Sequence, residues 1–130
     1  MKVGFIGVGL IGGSMLKRLS KWGVDCFVLD INKQVMDAAI KENNAKILTD
    51  YSSVDVIVIA LSPNNTIKFL EQNATKIGTT LVVDVCGVKN PIEQITNKLN
   101  LNYCGIHPMA GREVGGYFNS KENLFTGANV

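Results

Sequence analysis

Gly7-Val8-Gly9-Leu10-Ile11-Gly12 decides the fold because of what stands on either side of it. The strand-like run Lys2-Val3-Gly4-Phe5-Ile6 leads in, and an amphipathic segment over residues 11–21, with Met15, Leu16 and Leu19 on one face, leads out. In a chain with 13 glycines a bare G-x-G-x-x-G is a weak signal, but between a strand and a helix it reads as a turn that cradles a dinucleotide pyrophosphate. Gly7 permits the tight exit from the strand, Gly9 removes a Cβ from the path of the pyrophosphate, and Gly12 lets the helix approach the sheet. The unpaired N–H groups at the helix start face the same anion, which brings the backbones of Val8, Leu10 and Ile11 into the candidate site. A second strand over residues 26–29 closes on Asp30, 18 residues after Gly12, where a carboxylate would accept hydrogen bonds from the adenosine ribose.

Outward from this unit, short apolar runs keep alternating with helix-length segments. The pattern specifies a Rossmann-type α/β fold, a doubly wound and mainly parallel sheet with helices on both faces. A helix is expected over residues 33–41, facing inward with Val35, Met36, Ala39 and Ile40 and ended by Glu42-Asn43-Asn44, and a short strand around Ile47. Residues 54–61 are nearly continuous and β-branched, as in a strand covered on both sides. A turn at Ser62-Pro63-Asn64-Asn65 then opens a helix over residues 66–72, and further strands are expected over 80–85 and 103–106. Pro91 suits the first turn of a helix reaching Leu99. No repeat or linker divides the chain, so residues 1–130 form one domain.

Composition narrows the class. Hydrophobic residues make up 46% and charged residues 18%, which is ordinary for a folded globular domain, and a net charge of +2 gives no ground for a nucleic-acid partner. Lys17, Arg18 and Lys21 read as a solvated helix face rather than a basic binding patch. Cys26, Cys86 and Cys104 form no metal spacing and lie in or beside apolar runs, where each is expected to pack as a small hydrophobe in a reducing compartment. No signal peptide or membrane-length apolar stretch stands in the sequence, so a cytoplasmic location, with no membrane partner and no metal, is the expectation.

Two smaller features bear on the cofactor. Asp30 repels a 2′-phosphate and so favours NAD over NADP, although Lys33 is close enough to keep NADP open. Ser14, at the start of the helix, is open to two roles, helix cap or cofactor contact. Leu61, Ser62 and Pro63 follow the fourth strand at the edge where ligands lie in doubly wound sheets, so they read as cofactor contacts, with a plain turn as the alternative.

His107 is the only histidine, placed after the last strand in the loop His107-Pro108-Met109-Ala110-Gly111. Imidazole is the side chain suited to taking a proton from an alcohol near neutral pH, while a solvated loop histidine is the ordinary alternative. Around it the sequence resembles a known family. Gly9-Leu10-Ile11-Gly12-Gly13-Ser14 and His107-Pro108-Met109-Ala110-Gly111-Arg112-Glu113 are similar to the two signature segments of the prephenate and arogenate dehydrogenases. Asp84-Val85-Cys86-Gly87-Val88-Lys89 resembles the family's Asp-x-x-Ser-Val-Lys segment, and residues 123–128 resemble the stretch after its His loop.

The resemblance implies that His107 accepts the proton of the ring hydroxyl while hydride leaves for NAD⁺. It implies oxidative decarboxylation of prephenate to 4-hydroxyphenylpyruvate in tyrosine biosynthesis, with arogenate as the other substrate. It also implies substrate contacts at Gly87, Lys89 and Glu113, against which Lys89 and Glu113 read equally as solvated surface charges. The chain departs from the family pattern at Gly87, where the family often has Ser, and in length. The family's C-terminal helical domain, which forms the homodimer and supplies cations for the substrate, has no counterpart here. The expectation is therefore the cofactor half of such an enzyme, weakly active or inactive alone. A nucleotide-binding module without chemistry and a related β-hydroxyacid-type or imine reductase are the competing readings.

Overall fold

The computed structural model describes residues 1–110 and 114–128. Among these described residues six parallel strands form one sheet: β1 (Lys2–Ile6), β2 (Asp25–Leu29), β3 (Lys46–Ile47), β4 (Val56–Ile59), β5 (Leu81–Asp84) and β6 (Tyr103–Gly105). Their spatial order is β3-β2-β1-β4-β5-β6, with β1 paired to both β2 and β4. The chain therefore winds outward in both directions from β1, and its carboxyl end is the switch point at which doubly wound sheets bind ligands.

Four α-helices among the described residues cover the sheet: α1 (Leu10–Lys21), α2 (Lys33–Asn43), α3 (Pro63–Ile77) and α4 (Asn90–Lys98). Strand alternation sends Val3, Phe5, Val28 and Val58 into one core with Leu16 of α1 and Ala39 of α2. It sends Ile6, Ile57, Ile59 and Val82 into a second core with Leu70 and Ile77 of α3 and Ile92 of α4. The helix signals are ordinary ones. The Asn32 side chain caps α2 by accepting the Val35 N–H, and Asn44 ends it in the left-handed region at φ 51°.

Several expectations need correction. The Ser62–Asn65 segment is no free-standing turn: Ser62 caps α3, Pro63 opens it, and the helix runs on to Ile77, which is fully buried. β4 is shorter than 54–61, because a 3₁₀ turn at Tyr51–Ser53 precedes it and Val54 packs into the core as it leaves that turn. Cys26 and Cys86 are buried as free thiols, but Cys104 sits on the outermost strand and is exposed.

The lysines and arginine of α1 are not a bare solvated face. Lys17 donates to the Ser120 carbonyl at 3.1 Å and lies 4.6 Å over the Tyr117 ring, Arg18 stacks on Trp22, and Lys21 pairs with Glu122 at 2.6 Å. The Lys17 and Lys21 contacts belong to a strap that the sequence did not announce, a 3₁₀ turn at Tyr117–Asn119 with the residues after it. Tyr117 is only 1% exposed, plugs the space between α1 and α2, and hydrogen-bonds Glu42 and Asn43. No helix among the described residues is long and apolar enough to cross a membrane.

Candidate functional site

The turn after β1 is built as its glycines require. Gly7 has φ 86°, and a Cβ there would lie 2.7 Å from the Ala60 carbonyl oxygen, so no other residue fits without strain. Gly12 faces back on the same turn, with room for no Cβ between α1 and Gly7. Gly9 differs: a Cβ there would meet nothing within 4 Å. The space it leaves opens outward above the start of α1, where no side chain caps the helix. The N–H groups of Leu10, Ile11 and Gly12, which have no acceptor within the helix, surround an open cradle, while Val8 is buried. A pyrophosphate fits this cradle by charge and by space.

Asp30 is tied to the turn directly. Its Oδ2 accepts the Val8 N–H at 2.9 Å and its Oδ1 accepts the Asn32 N–H at 2.8 Å. Each carboxylate oxygen keeps a lone pair for a further donor. Asp30 stands on the rim of a cleft of about 310 Å³ between the ends of β1 and β2 and the first turns of α3. Leu61 lines that cleft, as do Asn65, Lys68, Phe69 and Gln72, which reading the sequence had missed. The available signal was the Ser62-Pro63 helix start, which places i, i+3, i+4 and i+7 from Asn65 on one face. Ser62 itself is exposed and spends its hydroxyl as the cap, accepting the Asn65 N–H at 3.4 Å. Lys33 forms an i,i+4 pair with Asp37 at 2.9 Å.

Ser14 fills neither of its two expected roles. It is wholly buried inside α1, and its hydroxyl accepts the Lys121 N–H at 3.0 Å, holding the strap on the helix.

The second group of candidates gathers beyond β5 and β6. His107 is exposed in the loop after β6, and Gly87 lies against its ring: a Cβ at Gly87 would be 3.1 Å from Nε2 and 3.2 Å from Cε1. Residues 20 positions apart are thus brought face to face by the pairing of β5 with β6. Cys86, just before Gly87, donates its Sγ–H to the Leu61 carbonyl at 3.2 Å, joining this turn to the one after β4. Burial pushes the Cys86 thiol above its ordinary range, so it stays protonated and structural.

Lys89 is not a free surface charge. Its ammonium is 2.8 Å from Oδ1 of Asp84, a carboxylate with no exposure at all. The Tyr103 hydroxyl donates to the other oxygen of Asp84 at 2.5 Å, and burial first, then this carboxylate, holds the phenol well above its usual range. Glu113 lies outside the described residues. Among the described residues no group of three or more His, Cys, Asp or Glu is placed to hold a metal ion.

Comparison with known proteins adds an independent line. A family model described as the nucleotide-binding domain of prephenate dehydrogenase matches residues 15–130, a span that includes the Gly87 and His107 segments and begins just after the glycine turn. A probable prephenate dehydrogenase, NovF, from Streptomyces niveus is 27% identical over 125 residues, covering 94% of this chain and 34% of that protein. The crystal structure of Synechocystis arogenate dehydrogenase superposes with a TM-score of 0.90 at 27% identity, over 98% of this chain and 48% of that one. A prephenate dehydrogenase from A. aeolicus, solved with hydroxyphenyl propionate and NAD⁺, shares the fold with a TM-score of 0.83 at 24% identity, again over 98% and 48%. The chain thus spans about half the length of these solved structures and a third of the curated relative.

Proposed function

The chain belongs to the prephenate dehydrogenase family as its nucleotide-binding domain, and from that premise we propose that it is the cofactor half of an NAD-dependent enzyme that oxidatively decarboxylates prephenate to 4-hydroxyphenylpyruvate, a step of tyrosine biosynthesis. The observation that carries the proposal is the packing of His107 against Gly87 at the carboxyl edge of the sheet, the same edge on which the Gly7–Gly12 cradle opens.

Asp30 accepts the ribose hydroxyls, and the α1 N-terminus holds the pyrophosphate. Asp30 would repel a 2′-phosphate, and Lys33, the nearest cation in sequence, is engaged by Asp37, which favours NAD over NADP. When bound, the nicotinamide supplies the hydride acceptor for the ring carbinol carbon of the substrate. His107 accepts the hydrogen bond of the ring hydroxyl and takes its proton. Loss of the ring carboxylate as CO₂ leaves an aromatic phenolate, which takes that proton back, so the imidazole ends as it began. Aromatisation supplies the driving force and the protein chiefly supplies orientation. At Gly87, backbone N–H or water takes the place of the hydroxyl common in the family. Glu113 belongs to the same proposal as an acidic residue at the site mouth.

Arogenate is the second candidate substrate, from the likeness to the Synechocystis arogenate dehydrogenase at 27% identity. The chain spans only about half the length of the solved relatives, so taken by itself it is expected to bind NAD with little turnover.

The deciding experiment expresses the complete reading frame and follows NADH formation with prephenate, with arogenate and without substrate, then repeats it with NADP⁺. Turnover with one of the two substrates is expected, with a preference for NAD⁺ and a loss of about 10²–10⁴-fold in His107→Asn. Undiminished turnover in His107→Asn would remove the proton role, and a preference for NADP⁺ would remove the role given to Asp30.

A further inference from the structure

One residue braces both sides of the His107–Gly87 contact. The Asp84 carbonyl oxygen accepts the N–H of Ile106, immediately before His107, at 2.9 Å. The Asp84 carboxylate Oδ1 accepts the N–H of Cys86, immediately before Gly87, at 2.8 Å. The negative charge that does this is completely buried and is answered by Lys89 and Tyr103. Lys89 reaches the Asp84 carbonyl oxygen as well, at 3.2 Å. Gly105 makes the room: a Cβ there would lie 2.5 Å from the Tyr103 hydroxyl and 3.1 Å from Cδ of Lys89.

We propose that Asp84, Lys89 and Tyr103 are a single positioning unit for His107, and that Lys89 acts through Asp84 rather than on the substrate. The inference rests on the proton role of His107 proposed above. Two of the three ammonium donors of Lys89 are directed at Asp84, and its side chain is only 24% exposed. A substrate carboxylate would have to compete with a closed ion pair. Removing the cation leaves an uncompensated buried carboxylate, the costly half of breaking such a pair, whereas neutralising both members avoids that cost. An unpaired Asp84 draws in water or rotates, releases the Cys86 N–H and loosens the turn that carries Gly87. His107 then loses the surface on which its ring rests.

His107 is the only histidine in the chain, so its ring Cε1–H gives a single NMR signal that reports its surroundings without any substrate. That signal is read in this chain, and turnover in the protein from the complete reading frame, for Lys89→Met, Asp84→Asn/Lys89→Met and Tyr103→Phe. Lys89→Met is expected to lose at least about tenfold in kcat and to displace or broaden the signal. The double variant is expected to recover most of both. Tyr103→Phe keeps the ion pair and is expected to lose about threefold in kcat at unchanged KM, with a smaller displacement of the signal. A double variant as slow as Lys89→Met with a raised substrate KM would place Lys89 on the substrate and overturn the proposal. A His107 signal indifferent to all three changes would overturn it as well. If the unaltered protein turned over neither substrate, the functional proposal would fail on its own, and the NMR series would still decide the positioning role.

Discussion

A Cβ at Gly12 would lie 2.2 Å from the Gly7 carbonyl oxygen and 2.9 Å from the Ala60 Cβ, whereas one at Gly9 would meet nothing of the protein. Two glycines three positions apart therefore differ, one required by packing and the other left open toward the space in which the pyrophosphate is proposed to lie. Gly12→Ala must push α1 off the sheet and is expected to destabilise the unliganded domain by about 1–3 kcal/mol. Gly9→Ala, at φ −73°, is expected to leave unliganded stability within about 0.5 kcal/mol while sharply weakening NAD binding. Thermal melts with and without NAD separate the two, and full NAD affinity in Gly9→Ala would show that the cradle does not hold the pyrophosphate. The packing roles of Gly7 and Gly12 were legible in the sequence because each depends only on a strand, a turn and a helix in succession. Ser14 and Lys89 were not legible in the same way. The partner of Ser14 is Lys121, 107 positions away, and that of Lys89 is a carboxylate whose complete burial only the packed sheet reveals.

At the scale of elements, α3 shows where composition and position disagree. Ser-Pro-Asn-Asn has the composition of a turn, yet Ser as cap and Pro in the first turn are also how helices begin. The far end was misjudged for a different reason. Asn73 and Thr75 are weak helix formers, but Ile77 is wholly buried and holds the last turn against the sheet. The strap at Tyr117–Asn119 was invisible because Tyr117 gains its burial from Glu42 and Asn43, 75 and 74 positions away. Since α3 forms one wall of the cleft beside Asp30, its cap serves fold and site together. Ser62→Ala is expected to cost about 0.5–1 kcal/mol of stability, toward the low end for a cap because the bond is long at 3.4 Å and exposed. Its NAD affinity is expected to fall as well. Chemical denaturation and calorimetric titration measure the two effects, and unchanged affinity with reduced stability would confine Ser62 to capping.

Across the whole molecule, two tyrosines fasten the sheet from opposite faces. Tyr103 packs against the core covered by α3 and α4 and delivers its hydroxyl to Asp84, while Tyr117 belongs to the core under α1 and α2 and delivers its hydroxyl to Glu42. Burial first, and then the accepting carboxylate, raises both phenols well above the ordinary value of 10.0. The consequence for stability has a definite sign. Below about pH 10 the folded and unfolded chains both keep these protons. Above it the unfolded chain releases them while the folded chain holds them, so unfolding releases protons and stability falls as pH rises. The stabilisation is complete on the acid side of that point and is lost upward toward the folded-state values. Urea midpoints between pH 8 and pH 11.5 should therefore decline, the buried Cys26 and Cys86 thiols, which burial also pushes up, starting the fall at about pH 9 and the tyrosines steepening it above about pH 10. Tyr117→Phe removes one of the two groups and its hydrogen bonds, costing about 1 kcal/mol near neutrality. Its alkaline decline should be shallower than that of the unaltered chain, so that the two curves approach each other as pH rises. Curves that stayed parallel through this range would mean that the Tyr117 hydroxyl is no better held in the folded chain than in the unfolded one.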